Sequence, residues 1–61
     1  MEEAIVQKYA GKKVILILAN NFKITTIMPN EIYGTFIVQD RDGKLCAVNS
    51  KDISSIIERS Y

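Results

Sequence analysis

"KKVILILANNFKITTIM", residues 12–28, decides the fold because it places two strand patterns on either side of a polar pair. The run from Val14 to Leu18 is β-branched or Leu throughout, which is typical of a strand covered on both faces. Asn20-Asn21 is a hairpin signal, since Asn tolerates a positive φ better than most residues. Residues 22–28 then alternate with period two. We predict a β-hairpin.

Alternation assigns the side chains of this hairpin to two faces. In the first strand, Val14, Leu16 and Leu18 face one way, and Ile15, Ile17 and Ala19 face the other. One set can fill a barrel, and the other needs a cover, from an N-terminal helix or from a second subunit. In the second strand, one face carries Phe22, Ile24, Thr26 and Met28.

The remaining elements are predicted from the same patterns. They are a helix over 1–10, strands over 32–40, 44–49 and 53–58, and a 3₁₀ turn over 50–52. Gly11 suits a left-handed helix cap, and Gly34 suits a bulge or bend within the third strand. Because a closed sheet has no exposed edges, the predicted fold is all-β, with the strands of residues 12–58 forming a strongly bent antiparallel barrel.

Size and composition limit the function. The 61 residues suit one domain, and eight basic against seven acidic residues give a net charge of +1, which argues against non-specific DNA coating. The single cysteine, Cys46, cannot form an internal disulfide, so a reducing cytoplasm is expected. No signal-peptide pattern is seen, and the longest apolar run, Val14–Ala19, is too short to span a membrane.

Two segments carry a family resemblance. "YAGKKVILILANNFKITTIM", residues 9–28, resembles the first Sm motif, in which Gly and a basic residue precede an alternating strand, a polar pair and a second strand. "AVNSKDISSII", residues 47–57, resembles the second motif, and its end is similar to bacterial Hfq chains. The resemblance implies an Sm-like ring that binds RNA, in which the fifth strand of one subunit pairs with the fourth strand of the next.

Three residues are predicted RNA contacts. Tyr33, beside Gly34, has the character of a base-stacking aromatic; the alternative is a rim tyrosine with a hydrogen-bonded hydroxyl. Asn49 offers an amide to a base edge; the alternative is a cap on the following turn. Lys51 falls where the resemblance places the Lys-His pair of Hfq, although this chain has no His. The alternative for Lys51 is a solvated turn lysine.

The predicted homo-oligomer interface involves the last two strands. An unpaired final strand would leave backbone groups unsatisfied, and pairing with a neighbouring copy would satisfy them. Alternation places Ile53 and Ile57 on one face and Ile56 on the other. The alternative is that this strand only closes its own barrel. The interface residues predicted are Cys46, Val48, Ile53, Ile56 and Ile57.

Enzymatic chemistry is not predicted. Without His there is no usual nucleophile–base pair, and Cys46 lies in a strand as a packed thiol would. Asp40 and Asp42 are explained by the turn that ends at Gly43, so no metal, cofactor or small-molecule substrate is expected. Two functions remain: an oligomeric RNA-binding module, or a protein-interaction barrel with no nucleic-acid partner.

Overall fold

A computed structural model of the chain describes residues 1–59. One short helix precedes five strands, so the mainly-β class and the order of elements are confirmed. The predicted hairpin and 3₁₀ turn are also present. The elements are α1 (Glu3–Gln7), β1 (Lys13–Leu18), β2 (Lys23–Ile27), β3 (Thr35–Gln39), β4 (Leu45–Asn49), the 3₁₀ turn (Ser50–Asp52) and β5 (Ile53–Glu58).

The strands form two antiparallel sheets, one with the order β2-β1-β5 and one containing β3 and β4. The predicted closed barrel is therefore not found within residues 1–59. β2 and β3 lie side by side without a hydrogen-bonded ladder. The buried Thr26 hydroxyl links them by donating to the Gln39 carbonyl oxygen at 2.8 Å. Pro29 follows the end of β2 and has no N–H with which to extend a ladder.

The helix and β3 are much shorter than predicted. The helix spans five residues, and the chain then turns through Gly11, whose φ of 75° suits glycine and whose N–H donates to the Met28 carbonyl at 3.0 Å. β3 begins only at Thr35. Gly34 forms a bend with a φ of 56°, so a bend at this residue is confirmed, but it lies before β3 rather than within the strand, and there is no bulge there.

The core lies between the sheets and is closed by the helix and the loop before β3. Gln7 fixes the helix to that loop, since its side-chain oxygen accepts from the Ile32 N–H and its Nε2 donates to the Asn30 carbonyl. The Met1 nitrogen donates to the carbonyls of Ser50 and Ile53, at 3.0 and 2.9 Å. The buried apolar residues are Val6, Val14, Leu16, Ile24, Met28, Ile32, Phe36, Val38, Val48 and Ile53.

The two faces of β1 differ in burial. Val14 and Leu16 are fully buried and belong to the set that fills the core, whereas Ile15 and Ile17 are only half-buried on the outer face. The helix does not supply their cover, because it packs against the 3₁₀ turn and the loop before β3. The prediction that Phe22 shares a face with Ile24 is wrong. Phe22 precedes β2 and is 55% exposed, whereas Ile24 is buried.

A β-bulge changes the faces of β5. Ile17 pairs with Ser55 but Leu18 pairs with Ile53, so Ser54 is an extra residue on β5. From there on, Ile56 lies opposite the buried Leu16 and turns inward. The prediction that Ile53 and Ile57 share a face is therefore wrong, because strict alternation does not hold across a bulge.

Candidate nucleic-acid interface

Tyr33 is displayed at the surface by the loop before β3. Its side chain is 71% exposed, and within residues 1–59 its hydroxyl has no hydrogen-bond partner. The Gly34 N–H that follows donates to a Glu3 carboxylate oxygen at 2.7 Å, which ties this loop to α1. The alternative of a rim tyrosine with a bonded hydroxyl is not what the structure shows. The ring is available for stacking.

Backbone contacts bring the three predicted RNA contacts to one end of the β3–β4 sheet. The Ser50 N–H donates to the Gly34 carbonyl at 3.1 Å, which places the 3₁₀ turn beside the Tyr33 loop. Asn49 is the register partner of Thr35, the first residue of β3. Lys51 is exposed in the 3₁₀ turn itself. The resulting site combines residues from a loop, a strand end and a turn.

Asn49 has a structural role in this site. Its Oδ1 accepts from the Lys51 N–H at 2.9 Å and caps the 3₁₀ turn, while its Nδ2 donates to the Thr35 hydroxyl at 3.1 Å. The alternative reading of Asn49 as a cap is therefore present in the structure. Both polar groups of the amide already make one bond, and this reduces what they offer to a base.

Replacing Asn49 with alanine is expected to lower the free energy of unfolding by about 1 kcal/mol, because two hydrogen bonds at the surface are lost. Asn49→Asp keeps an acceptor for the Lys51 N–H and should recover most of that loss. Urea unfolding of the three proteins provides the comparison. Equal stability of wild type and Asn49→Ala would contradict the capping role.

The electrostatic surroundings of Lys51 are mixed. It lines a recess of about 510 Å³ together with Met1, Glu2, Glu3 and Ser50. The Lys51 and Met1 ammonium groups thus stand beside two glutamates, so the charges of the recess balance and the attraction of a phosphate is weakened.

The predicted interface residues divide between core and surface. Val48 and Ile53 are 3% and 2% exposed and belong to the core of this chain, against which Cys46 and Ile56 also pack. Of the five predicted interface residues, only Ile57, which is 49% exposed, presents a large apolar side chain outward. Within the described part of the chain, β4 and β5 each pair with one strand, so each has one free backbone edge.

A basic cleft at the other end of the strands was missed by sequence reasoning. It has a volume of about 420 Å³ and includes Lys13, Arg41 and Arg59 among its lining residues. From the sequence, only Lys12 and Lys13 form a basic pair, as a solvated strand entry or a phosphate contact. Arg41 and Arg59 lie far from Lys13 along the chain, and only the fold brings the three together. No local motif signals them.

No family model, curated protein or solved structure matches this chain. The Sm-like resemblance therefore stays a prediction based on the two motifs. Within residues 1–59, no helix has both the length and the apolar character needed to cross a bilayer. The same residues contain no group of three His, Cys, Asp or Glu side chains placed to hold a metal ion.

Proposed function

We propose that this chain is an Sm-like RNA-binding module that works as a homo-oligomer in the reducing cytoplasm. The observation that carries the proposal is the exposed Tyr33 ring, held beside Gly34 and next to the turn that bears Lys51. Aromatic rings displayed in this way stack on unpaired bases, which is the usual means of recognising single-stranded RNA. Lys51 adds a cation within reach of the backbone of a stacked nucleotide.

The free edges of β4 and β5 support the oligomer. An unpaired edge carries a row of N–H and C=O groups that can pair with another chain. In the proposed assembly, β5 of one copy pairs with β4 of the next, as the Sm-like resemblance implies. Pairing of this kind uses backbone groups, so it is compatible with the burial of Val48 and Ile53 in their own subunit.

Tyr33→Ala is expected to weaken binding to poly(U) or poly(A) about tenfold, since stacking one base contributes roughly 1–3 kcal/mol. Tyr33→Phe keeps the ring and should bind as wild type does, which separates stacking from a role of the hydroxyl. Fluorescence anisotropy with labelled RNA at low salt measures both. Absence of wild-type binding, or normal binding by Tyr33→Ala, would refute the proposal.

A second function is favoured by the outer face of the three-stranded sheet. Ile15 and Ile17 are half-buried there, and Ile57 lies in register with Ile15. With a net charge of +1, such a face suits a protein-interaction or structural module without nucleic acid. The mass in solution before and after RNase treatment distinguishes the two. A 260-nm absorbance that RNase removes supports RNA binding, and an RNase-insensitive assembly without that absorbance supports the second function.

A further inference from the structure

A shallow groove lies directly beside Tyr33. It has a volume of about 400 Å³. Pro29 and Ile37 contribute apolar surface to it, and Ile37 is 63% exposed. Two polar side chains, those of Glu31 and Thr35, also line the groove. Apolar surface with a few polar groups beside it is the usual composition of a site for a flat ring that carries hydrogen-bonding groups.

The loop that carries Glu31 and Tyr33 is held in place by α1. Ile32, which lies between them, is fully buried, and its N–H donates to the Gln7 side-chain oxygen at 3.2 Å. The Gly34 N–H donates to a carboxylate oxygen of α1 at 2.7 Å. Because Ile32 turns into the core, the exposed Glu31 and Tyr33 side chains both point outward, from backbone positions at most about 7 Å apart.

The two polar side chains of the groove have bonding capacity left. Within residues 1–59 the Glu31 carboxylate makes no hydrogen bond and no ion pair. The Thr35 hydroxyl oxygen accepts from Asn49 Nδ2 at 3.1 Å, so the hydroxyl proton is still available to donate. Since a carboxylate only accepts hydrogen bonds, a ligand that faces Glu31 must bring donors.

We propose that this groove reads guanine, and that Glu31 makes the Tyr33 site selective for single-stranded RNA that contains it; this inference rests on the proposed RNA-binding function. Unpaired bases that stack on aromatic rings are also read along their Watson–Crick edges. The edge of guanine has two adjacent donors, N1–H and N2–H, which a carboxylate accepts as a pair. Its O6 lies next to them and matches the donor of Thr35.

The other three bases do not match a carboxylate in this way. Adenine and cytosine place a single amino donor next to a ring nitrogen that only accepts. Uracil places a single N–H between two carbonyl oxygens. Each of them would leave an acceptor facing Glu31, and an acceptor without a donor in a partly desolvated groove is unfavourable.

Affinity and selectivity come from different residues in this proposal. Stacking on Tyr33 tolerates any base, since every base has a π face. The Glu31 carboxylate repels the phosphates of every strand equally, so it adds no general affinity and only ranks the bases. Mutation can therefore remove the ranking without removing the binding.

Four labelled oligouridines that differ only in one central base, G, A, C or U, provide the test by fluorescence anisotropy at low salt. Wild type should bind the guanine strand about tenfold more tightly than the other three, as expected for one bidentate base contact. Glu31→Gln keeps the length of the side chain but replaces an acceptor with a donor, and should reduce this preference to less than about twofold.

The matched control is Asp42→Asn, which removes the same charge from the exposed turn between β3 and β4, at the opposite end of β3 from Tyr33. It should keep the tenfold preference, because loss of a distant negative charge affects all four strands alike. The Glu31 and Asp42 side chains are exposed and make no bond within residues 1–59, so both variants are expected to fold.

The outcomes distinguish this proposal from the function on which it rests. If wild type binds all four strands equally and Tyr33→Ala weakens all of them, guanine selectivity is overturned while RNA binding stands. A preference that survives in Glu31→Gln, or that is lost to the same extent in Asp42→Asn, overturns the role of Glu31. If wild type binds none of the strands, both proposals fail.

Discussion

Replacing Leu16 with alanine is expected to lower the free energy of unfolding by about 3 kcal/mol. Leu16 is fully buried at the centre of β1, the strand that pairs with both β2 and β5. The substitution removes buried apolar surface and leaves a cavity that both neighbouring strands can only partly fill. A domain of this size has a stability of roughly 3–9 kcal/mol, so the loss is a large fraction of the total.

Urea unfolding followed by circular dichroism measures this effect, and Leu45→Ala is the matched control. Leu45 is 73% exposed, so the same change of side chain there should cost less than about 0.5 kcal/mol. The measurement is repeated over a range of protein concentrations, because self-association adds to apparent stability. Similar losses for both variants would show that Leu16 is not at the centre of the core.

The second large effect concerns Ile53. Ile53→Ala should cost about 3 kcal/mol, since this side chain is 2% exposed and belongs to the core. Ile57→Ala should cost less than about 1 kcal/mol, because Ile57 is 49% exposed on the outer face. The two positions have the same residue type in one strand, so the comparison isolates the consequence of the bulge at Ser54.

Thermal or urea unfolding of Ile53→Ala and Ile57→Ala measures the two losses of stability. Equal losses would mean that Ile53 and Ile57 share a face, as continuous alternation requires, and that Ser54 is not an extra residue. An oligomer complicates only Ile57, whose loss would then shrink as the protein is diluted toward the monomer. Ile53→Ala should be destabilising at every concentration.

Local sequence signals predict much of this fold. The hairpin at Asn20-Asn21 is confirmed, with Asn21 at a φ of 64° and the Asn20 side chain accepting from the Phe22 N–H. These features depend on neighbouring residues alone, and so does the 3₁₀ turn after β4. The bulge in β5 could not be predicted, because an extra residue depends on the partner strand and nothing in the Ser54-Ser55 pair specifies it.

The candidate sites also divide into features that neighbouring residues predict and features that depend on distant parts of the chain. The sequence indicates Tyr33 as a candidate because it lies beside Gly34; the structure shows that the residue is exposed, and its role in stacking stays a prediction. The sequence indicates Lys13 only as part of a basic pair with Lys12, because its meeting with Arg41 and Arg59 depends on how the two sheets pack. Closure of the sheets into one barrel was predicted from the need to remove edges, but that argument does not specify whether β2 and β3 form a ladder.

The contact between β2 and β3, which lacks a backbone ladder, affects how readily the two sheets separate. Side-chain packing and the bond from the Thr26 hydroxyl to the Gln39 carbonyl join the sheets there, without a backbone ladder in the described residues. A two-stranded ribbon has little stability of its own. We therefore expect amide hydrogen exchange to show that the β3–β4 ribbon opens at lower free energy than the β2-β1-β5 sheet, and that a ligand that contacts both β2 and β3 slows its exchange.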